Sequence, residues 1–152
     1  MISFVKPTDE HIKAISADMR REDAEEVWAS HRHTPLEALT FGCALSDFSV
    51  TVVSDDGTPL VIIGLVKGDL LTGNGTVWML GSNEALKYRK EFFRQTKPVI
   101  DEMLEICPRI GNMVHDKNRI SISWLKRIGF IFGEQVELGR DKEIFHRFHI
   151  ER

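Results

Sequence analysis

The spacing of apolar residues predicts a first strand followed by three short helices. Residues 2–5 form an apolar run typical of a strand, and Thr8 then offers a helix cap. Apolar residues recur every three or four positions in the segments that follow, which is typical of helices with one buried face. On this pattern Trp28 and Leu36 face the core. Helices are therefore predicted over 9–19, 21–30 and 35–45.

From Phe48 onward the periodicity becomes that of strands. Two runs rich in β-branched residues flank Asp56 and Gly57, which favour the positive φ of a hairpin turn. The runs are dense enough for central strands of a sheet covered on both faces. Gly64, inside the second run, predicts a bulge or a close backbone approach. A three-stranded antiparallel meander is thus predicted over 48–54, 60–68 and 76–80.

A long helical segment and a short strand follow the meander. Helical periodicity extends over 84–95 and 98–107, and Pro98 predicts either a kink or the start of a second helix, because it has no N–H to donate. A strand is predicted over 109–114. Four cationic residues fall on one stripe of the first helical segment, namely Lys87, Lys90, Arg94 and Lys97.

The segment 118–130 is the clearest single element of the chain. Asn118 is a good helix cap, and Ile120, Trp124 and Ile128 recur at helical spacing. Gly129 can adopt the left-handed conformation that ends such helices. Two strands, predicted over 131–138 and 143–150, then complete the chain.

Composition and charge narrow the class of protein. A hydrophobic fraction of 42% and a charged fraction of 28% predict one folded domain over residues 1–152. A net charge of -3 gives no case for a nucleic-acid partner. The apolar runs are shorter than a bilayer span and the first residues lack the apolar core of a signal peptide, so a cytoplasmic location without a membrane partner is expected.

The cysteines and the first histidines carry weaker signals. Cys43 and Cys107 sit in apolar surroundings without a nearby cysteine partner, so buried free thiols are expected. His31 and His33 could meet Cys43 around a metal, but their spacing matches no ligand motif and no metal site is predicted.

The order of elements resembles the GNAT acyltransferase family. In the last third of the chain Asn118, Ser121, Gly129 and Phe130 match the family's pattern at their spacing. The resemblance implies a single α/β (α+β) domain with a mixed, mostly antiparallel sheet of about six to seven strands flanked by helices. It also implies acetyl-CoA as cofactor, with binding residues at Met79, Leu80, Gly81, Lys87, Arg89, Lys90 and Asn118.

Two positions depart from the family's pattern. The tyrosine that commonly protonates the leaving thiolate is replaced by Leu125, which has no proton to give. The catalytic residue is therefore unknown, and Ser121 and His115 are the candidates that remain. In the pyrophosphate loop, Lys90 and Phe92 occupy positions where glycines let backbone N–H groups approach phosphates.

The cationic stripe allows three interpretations. Its side chains could grip the phosphates of a nucleotide-like cofactor in place of the glycine loop, or they could meet a partner protein. They could also form a solvated helix face balanced by Glu84 and Glu91, which is the commonest arrangement for such a stripe.

A closer resemblance is to the internal virion protein A family of short-tailed phages. It is carried by the Lys/Arg-rich helix in place of the glycine loop and by the segment SISWLKRIGF, with Leu125 at the tyrosine position. It implies virion assembly or a role in the internal core, with degenerate catalysis, phage virion or core proteins as partners, and a host-cytoplasmic or virion-associated location. The alternative is an active acetyl-CoA-dependent N-acetyltransferase acting on an amine of a small molecule or protein.

Overall fold

A computed structural model describes residues 1–68 and 71–152. Its strands are β1 (Ile2–Val5), β2 (Phe48–Ser54), β3 (Pro59–Lys67), β4 (Asn74–Gly81), β5 (Arg109–His115), β6 (Ile131–Leu138) and β7 (Glu143–Glu151). Its helices are α1 (Asp9–Ala17), α2 (Arg21–His31), α3 (Pro35–Leu45), α4 (Arg89–Ile106) and α5 (Arg119–Ile128), and a 3₁₀ helix spans Asn83–Tyr88.

The strands form one sheet in the order β1-β2-β3-β4-β5-β7-β6. The predicted meander is confirmed, because β2, β3 and β4 pair antiparallel in sequence order. β4 and β5 are the parallel pair, and α4 makes the crossover between them. The sheet is therefore mixed and mostly antiparallel, as expected from the sequence.

Helices cover both faces of the sheet, so the strands of the meander are apolar on both sides. On one face α1 and α3 bury Ile15 and Leu39 against Ile62 and Leu80. On the other face the core cluster combines side chains of α4 and α5 with those of the central strands, such as Ile100, Met103, Ile122, Val61 and Ile110.

A tryptophan explains the glycine inside β3. A Cβ at Gly64 would lie 2.3 Å from Nε1 of Trp78, and one at Gly42 would lie 2.9 Å from the same indole ring. The ring is held there because Nε1 donates to Oγ of Ser46 at 2.7 Å. The neighbour of Gly64 is thus a side chain, in place of the bulge or close backbone approach that was predicted, and the register shift lies at Val52 and Val53.

The crossover between β4 and β5 differs from its predicted form. The α-helix begins at Arg89, after a 3₁₀ segment, and it continues through Pro98 to Ile106 without a break. Buried residues on both sides of Pro98, Thr96 and Val99 among them, hold this helix against the sheet. Packing therefore offsets the hydrogen bond that the proline cannot donate.

Helix α5 ends as predicted but begins differently. Gly129 has a φ of +116° and its N–H bonds back into the helix, which confirms the left-handed end. Asn118 stands at the cap position without a side-chain cap bond, so its predicted capping role is wrong. Ile120 is exposed, and the buried face carries Ile122 and Leu125 together with Ile128.

Two residues predicted to face the core lie at the surface. Trp28 is 49% exposed and its ring lies under the guanidinium of Arg32, at 5.1 Å from the ring centroid. Leu36 is 50% exposed. The buried positions of α2 are Asp23 and Ala29, because this helix turns a polar face inward. That polar face forms part of the site described next.

Candidate functional site

The parallel strands β4 and β5 separate after a short paired stretch. Among the described residues, their pairing runs from Asn74 opposite Arg109 to Thr76 opposite Gly111 and ends there. Beyond it, Asn112 Nδ2 bridges the gap by donating to the Val77 carbonyl at 2.9 Å. The two strands therefore leave a wedge-shaped gap in the middle of the sheet.

The backbone of β4 faces this gap at every second residue. The carbonyl of Val77 accepts from the β5 side, and the N–H of Gly81 donates to Oδ2 of Asp23 at 2.9 Å. Alternation along the strand directs the N–H and C=O of Met79, which lies between them, into the gap. A strand edge placed in this way can bind an extended ligand that carries amide groups.

The first cavity, called here the inter-strand cavity, occupies this gap. Its volume is about 460 Å³, and α2, α3, β4, β5 and β7 all contribute to its walls. The walls are largely apolar and aromatic, including Phe41, Trp78 and Phe145. Among the described residues that line it, Glu26 is the only acid, and there is no lysine or arginine.

The second cavity, called here the cationic cavity, lies between the N-terminal turns of α4 and α5. Its volume is about 850 Å³. The cationic side chains in its walls are those of Arg20, Arg89, Lys90, Arg94, Arg119 and Arg127. Asp23 is the only acid among the described residues that line it, and its carboxylate is paired with Arg20. The cavity thus favours an anionic ligand.

The two cavities meet at three residues, since Met79, Ser121 and Trp124 line both. Trp124 stacks on Phe92 of α4, with ring centroids 5.4 Å apart. Its indole Nε1 is buried and has no hydrogen-bond partner within the described part of the chain. A ligand in the cationic cavity can therefore reach a ligand in the inter-strand cavity at the unpaired edge of β4.

A buried polar cluster fixes the junction between α2, β4 and α5. Nη2 of Arg20 donates to Oδ1 of Asp23 at 2.8 Å, to Oδ1 of Asn118 at 2.9 Å and to Oγ of Ser121 at 3.1 Å. Nδ2 of Asn118 donates to Asp23 at 2.9 Å. These contacts use the Asn118 amide, which explains why it does not cap α5.

Glu26 lies one helical turn beyond Asp23, at the wall of the inter-strand cavity. Its Oε1 accepts from the backbone N–H of His115 at 2.9 Å and from Nδ2 of Asn118 at 3.3 Å. No hydrogen bond within the described residues occupies Oε2, which leaves that oxygen for a ligand. Burial raises the pKa of the Glu26 carboxyl from 4.5 to about 8, and the charge of Asp23 adds to the rise.

The raised pKa of Glu26 predicts a pH-dependent stability. The unfolded chain loses this proton near pH 4.5, whereas the folded protein keeps it until about pH 8, so Glu26 makes stability fall as pH rises across that window. Glu26→Gln removes this loss. As pH rises from 5 to 9, the free energy of unfolding of Glu26→Gln should increase by about 2–4 kcal/mol relative to that of the unchanged protein. Urea unfolding at each pH measures it.

Glu25→Gln is the matched control for this prediction, because Glu25 lies next in sequence and forms an exposed ion pair with Arg21. Its stability difference from the unchanged protein should stay nearly constant with pH. Parallel pH profiles for Glu26→Gln and the unchanged protein would show that Glu26 titrates normally.

His115 is held by the strands rather than presented to the cavities. Its ring is buried, its Nε2 lies 2.7 Å from Oε1 of Glu143, and it packs on Phe145 with centroids 4.9 Å apart. Asp116 pairs with His146 at 2.7 Å and so does not orient His115. His115 is a catalytic candidate from the sequence. Its contact with the site is the hydrogen bond that its backbone N–H donates to Glu26, and its side chain lines neither cavity.

The residues predicted to bind the cofactor are only partly brought together. Met79, Gly81, Arg89 and Lys90 line the cationic cavity. Leu80 lines the inter-strand cavity, and its side chain belongs to the core of the α1 and α3 face. The remaining two lie outside the cavity walls, since Lys87 pairs with Glu84 at 3.0 Å and Asn118 is buried in the polar cluster.

The two positions of α5 considered for catalysis, Ser121 and Leu125, both lie at cavity walls. Ser121 lines both cavities and accepts a hydrogen bond from Arg20. Leu125 is buried in the core and forms part of the wall of the inter-strand cavity. A proton donor is therefore absent at this position, as the sequence indicates.

The cationic stripe predicted from the sequence splits into two kinds of residue. Lys87 and Lys97 form ion pairs with Glu84 and Asp101, as a solvated helix face would. Lys90 and Arg94 line the cationic cavity. Arg119 and Arg127 of α5 complete its walls, and the guanidinium of Arg127 lies 4.4 Å from the ring centroid of Phe93.

Sequence reasoning missed Arg20, Asp23 and Glu26. The helix dipole already favours acidic residues such as Glu22 and Asp23 in a first turn, so the sequence gives no reason to assign Asp23 a special role. The available signal was the three-residue spacing, which puts Arg20, Asp23 and Glu26 on one side of a helix. Only the partners on α5 and β4 distinguish that polar stripe from a solvated one.

His31 and His33 form part of an aromatic rim. Their rings stack with centroids 5.5 Å apart, and His33 also meets Phe41 at 5.2 Å. Within the described ranges, no group of three or more metal-ligating side chains could hold an ion. No helix in the described part of the chain is long and apolar enough to cross a membrane.

Comparison with solved structures gives matches along nearly the whole chain. A spermidine N-acetyltransferase from Vibrio cholerae, in complex with CoA and spermine, superimposes with a TM-score of 0.71 at 15% identity, over 99% of this chain and 95% of that one. A GCN5-related N-acetyltransferase from Kribbella flavida gives 0.70 at 15% identity, over 99% and 98%. No protein-family model and no curated protein sequence matches the chain.

These likenesses establish the fold. The chain has the GNAT fold, with a seven-stranded, mostly antiparallel sheet flanked by five helices, as the sequence predicted. At such identities the likeness carries no activity or substrate from one protein to another. The resemblance to internal virion proteins has no support among the comparisons and stays a prediction.

Proposed function

We propose that this protein is an acyl-CoA-dependent N-acyltransferase that acts on a primary amine. The observation that carries the proposal is the meeting of two chemically opposite cavities at the unpaired edge of β4. One cavity is lined by cations and the other is apolar with a single carboxylate. The presence of CoA in the Vibrio cholerae neighbour of the same fold supports the assignment.

The residues of the cationic cavity fit a phosphate-bearing acyl carrier. Arg89, Lys90 and Arg94 offer side-chain cations near the first turns of α4, and Arg119 faces them from α5. They replace the backbone contacts that a glycine-lined loop would make. Nη1 of Arg20 is a further buried donor: it makes no hydrogen bond within the described residues, although it lies 3.8 Å from Oε1 of Glu22.

The chain's own groups account for the parts of an acyl transfer. Acyl-CoA, when bound, supplies a thioester whose carbonyl carbon accepts a nucleophile. In this proposal the backbone N–H of Met79 donates to an extended ligand at the strand edge, where the pairing of β4 with β5 has ended, and Glu26 accepts a proton from an amine. Leu125 donates no proton, which a thiolate leaving group tolerates once the reactants are held together.

Acetyl-CoA should stabilise the folded protein and support thiol release. At a hundred times its dissociation constant, a ligand that binds only the folded state adds about 2.7 kcal/mol, which appears as a higher melting temperature. The control is S-acetyl-N-acetylcysteamine, which carries the thioester without phosphates and should give no such shift. No shift with acetyl-CoA, together with no thiol release on any amine, would refute the proposal.

A role in virion assembly is the second candidate, and one observation favours it. Leu125 is buried in the core at the position where the family's proton donor stands, as expected of a fold that has lost its reaction. This role needs protein surfaces rather than a cofactor. If acetyl-CoA fails to bind, co-purification with virion or core proteins becomes the test of this candidate.

A further inference from the structure

We propose that the acceptor is a monoamine with an apolar body, aromatic or aliphatic, which enters the inter-strand cavity and meets Glu26 with its amine. This inference rests on the proposed function and goes beyond it by naming the class of substrate. Three properties of the cavity carry it: its charge, its walls and its rim.

The charge of the cavity fits one ammonium group and no more. Glu26 is the only acid among its described lining residues, and no lysine or arginine faces it. A polyamine drawn into this space would leave its further ammonium groups without a carboxylate, and burying an unpaired charge is costly. The α-carboxylate of an amino acid would meet only His31 and His33 as potential cations, and both lie at the rim. A single amine avoids both costs.

The walls fit an apolar body. The aromatic side chains among its lining residues include those of Phe41, Trp78, Phe145 and Phe148. Removal of apolar surface from water is favourable in proportion to its area, and aromatic faces also attract ammonium groups. The volume of about 460 Å³ lies within the range of roughly 300–1,000 Å³ that is typical of small-molecule pockets.

The rim on the α2 side is firmly held. The turn between β6 and β7 reaches the end of α2, where Arg32 pairs with Asp141 at 2.6 Å. Gly139 has a φ of +81°, and a Cβ at this position would lie 1.8 Å from the carbonyl oxygen of Ala29. This close contact anchors the turn beside Leu138, which lines the cavity. The α2 side of the opening is therefore preformed.

Glu26 is placed for the proton transfer that such an acceptor needs. A protonated amine gives one proton to the Glu26 carboxylate and becomes a neutral nucleophile. Its nitrogen then forms the C–N bond with the thioester carbonyl carbon while the C–S bond breaks, and the thiolate leaves with that electron pair. The new amide nitrogen releases its second proton, which balances the thiolate charge. Without a ligand Glu26 keeps its proton until about pH 8, and the charge of a bound ammonium group favours the carboxylate form that accepts the proton.

The test compares 2-phenylethylamine and hexylamine with spermidine and glutamate as acceptors, at saturating acetyl-CoA. We expect kcat/KM to be at least about tenfold higher for the two monoamines. Binding can also be followed without turnover, because Trp78 and Trp124 line the cavity and their fluorescence should respond to 2-phenylethylamine. Glu26→Gln should lower kcat/KM for 2-phenylethylamine by about 100-fold and leave the dissociation constant of acetyl-CoA unchanged.

A second variant tests whether an added carboxylate at the cavity mouth changes the preferred acceptor. Leu45 is 69% exposed at the cavity mouth, so Leu45→Glu should fold and add a second carboxylate there. We expect it to raise the kcat/KM of spermidine relative to 2-phenylethylamine by about fivefold. Leu36→Glu is the matched control, because Leu36 is exposed on the same helix but does not line the cavity.

The outcomes separate this inference from the proposed function. If acetyl-CoA binds and thiol is released, but spermidine or glutamate is the preferred acceptor, the inference is overturned and the function stands. Equal responses of Leu45→Glu and Leu36→Glu would likewise reject the cavity as the acceptor site. If acetyl-CoA neither binds nor reacts, the proposed function itself fails.

Discussion

Arg20→Met is expected to lower the free energy of unfolding by about 3–5 kcal/mol. Arg20 and Asp23 are both buried, and the methionine would leave the Asp23 carboxylate with only the Gly81 N–H and the Asn118 amide as partners. A buried charge without its counter-ion is strongly destabilising. Methionine keeps the unbranched stem of the side chain, so most of the loss reports on the missing charge rather than on a cavity. Urea unfolding at neutral pH measures it.

Two further variants make this prediction specific. Arg21→Met removes the next residue, an exposed arginine paired with Glu25, and should cost no more than about 1 kcal/mol. The double variant Arg20→Met with Asp23→Asn should be more stable than Arg20→Met alone, because an asparagine can still accept from Gly81 without carrying a charge. If Arg20→Met cost no more than Arg21→Met, the polar cluster would not hold α2 to α5.

Reversing two charges of the cationic cavity is expected to weaken acetyl-CoA binding by about 100-fold or more. Arg89 and Arg94 line the cavity on α4, and no ion pair involves either of them within the described residues. Each charge-assisted hydrogen bond to a phosphate contributes about 1.5–3 kcal/mol, so the loss of two gives at least this factor. The measurement is titration calorimetry of acetyl-CoA with Arg89→Glu/Arg94→Glu.

The control for this second variant is Lys13→Glu/Arg140→Glu. It changes the net charge by the same amount at two exposed positions, one on α1 and one in the β6–β7 turn, and neither lines the cavity. Its affinity for acetyl-CoA should fall only slightly, through long-range electrostatics that added salt suppresses. Equal losses in the two double variants would mean that the cavity makes no direct phosphate contact.

Much of the fold follows from local patterns in the sequence. The hairpin around Gly57 and the helix end at Gly129 both depend on residues that tolerate positive φ, and both glycines have it. Strand periodicity identified the meander, and helical periodicity identified the helices. These features depend on neighbours in sequence, so a sequence is enough to predict them.

The candidate site follows from the sequence much less completely. Asn118 looks like an ordinary helix cap in the sequence, yet its amide bonds with Arg20 and Asp23, about a hundred residues earlier in the chain. Glu26 looks like one more acid of a solvated helix, yet it lies at a cavity wall with its Oε1 bonded to the backbone of β5. In both cases local propensity predicts the element, and partners distant in sequence decide what the side chain does.

The sequence by itself determined the succession of strands and helices, the resemblance to the GNAT fold and the absence of a proton donor at Leu125. Only the tertiary structure decided that β4 and β5 separate and that a cationic and an apolar cavity meet at Met79. It also decided that Glu26 is the one acid facing the apolar cavity among its described lining residues. The reason is physical: burial, charge pairing and cavity shape arise from contacts between distant segments, and these contacts leave no periodic trace in the sequence.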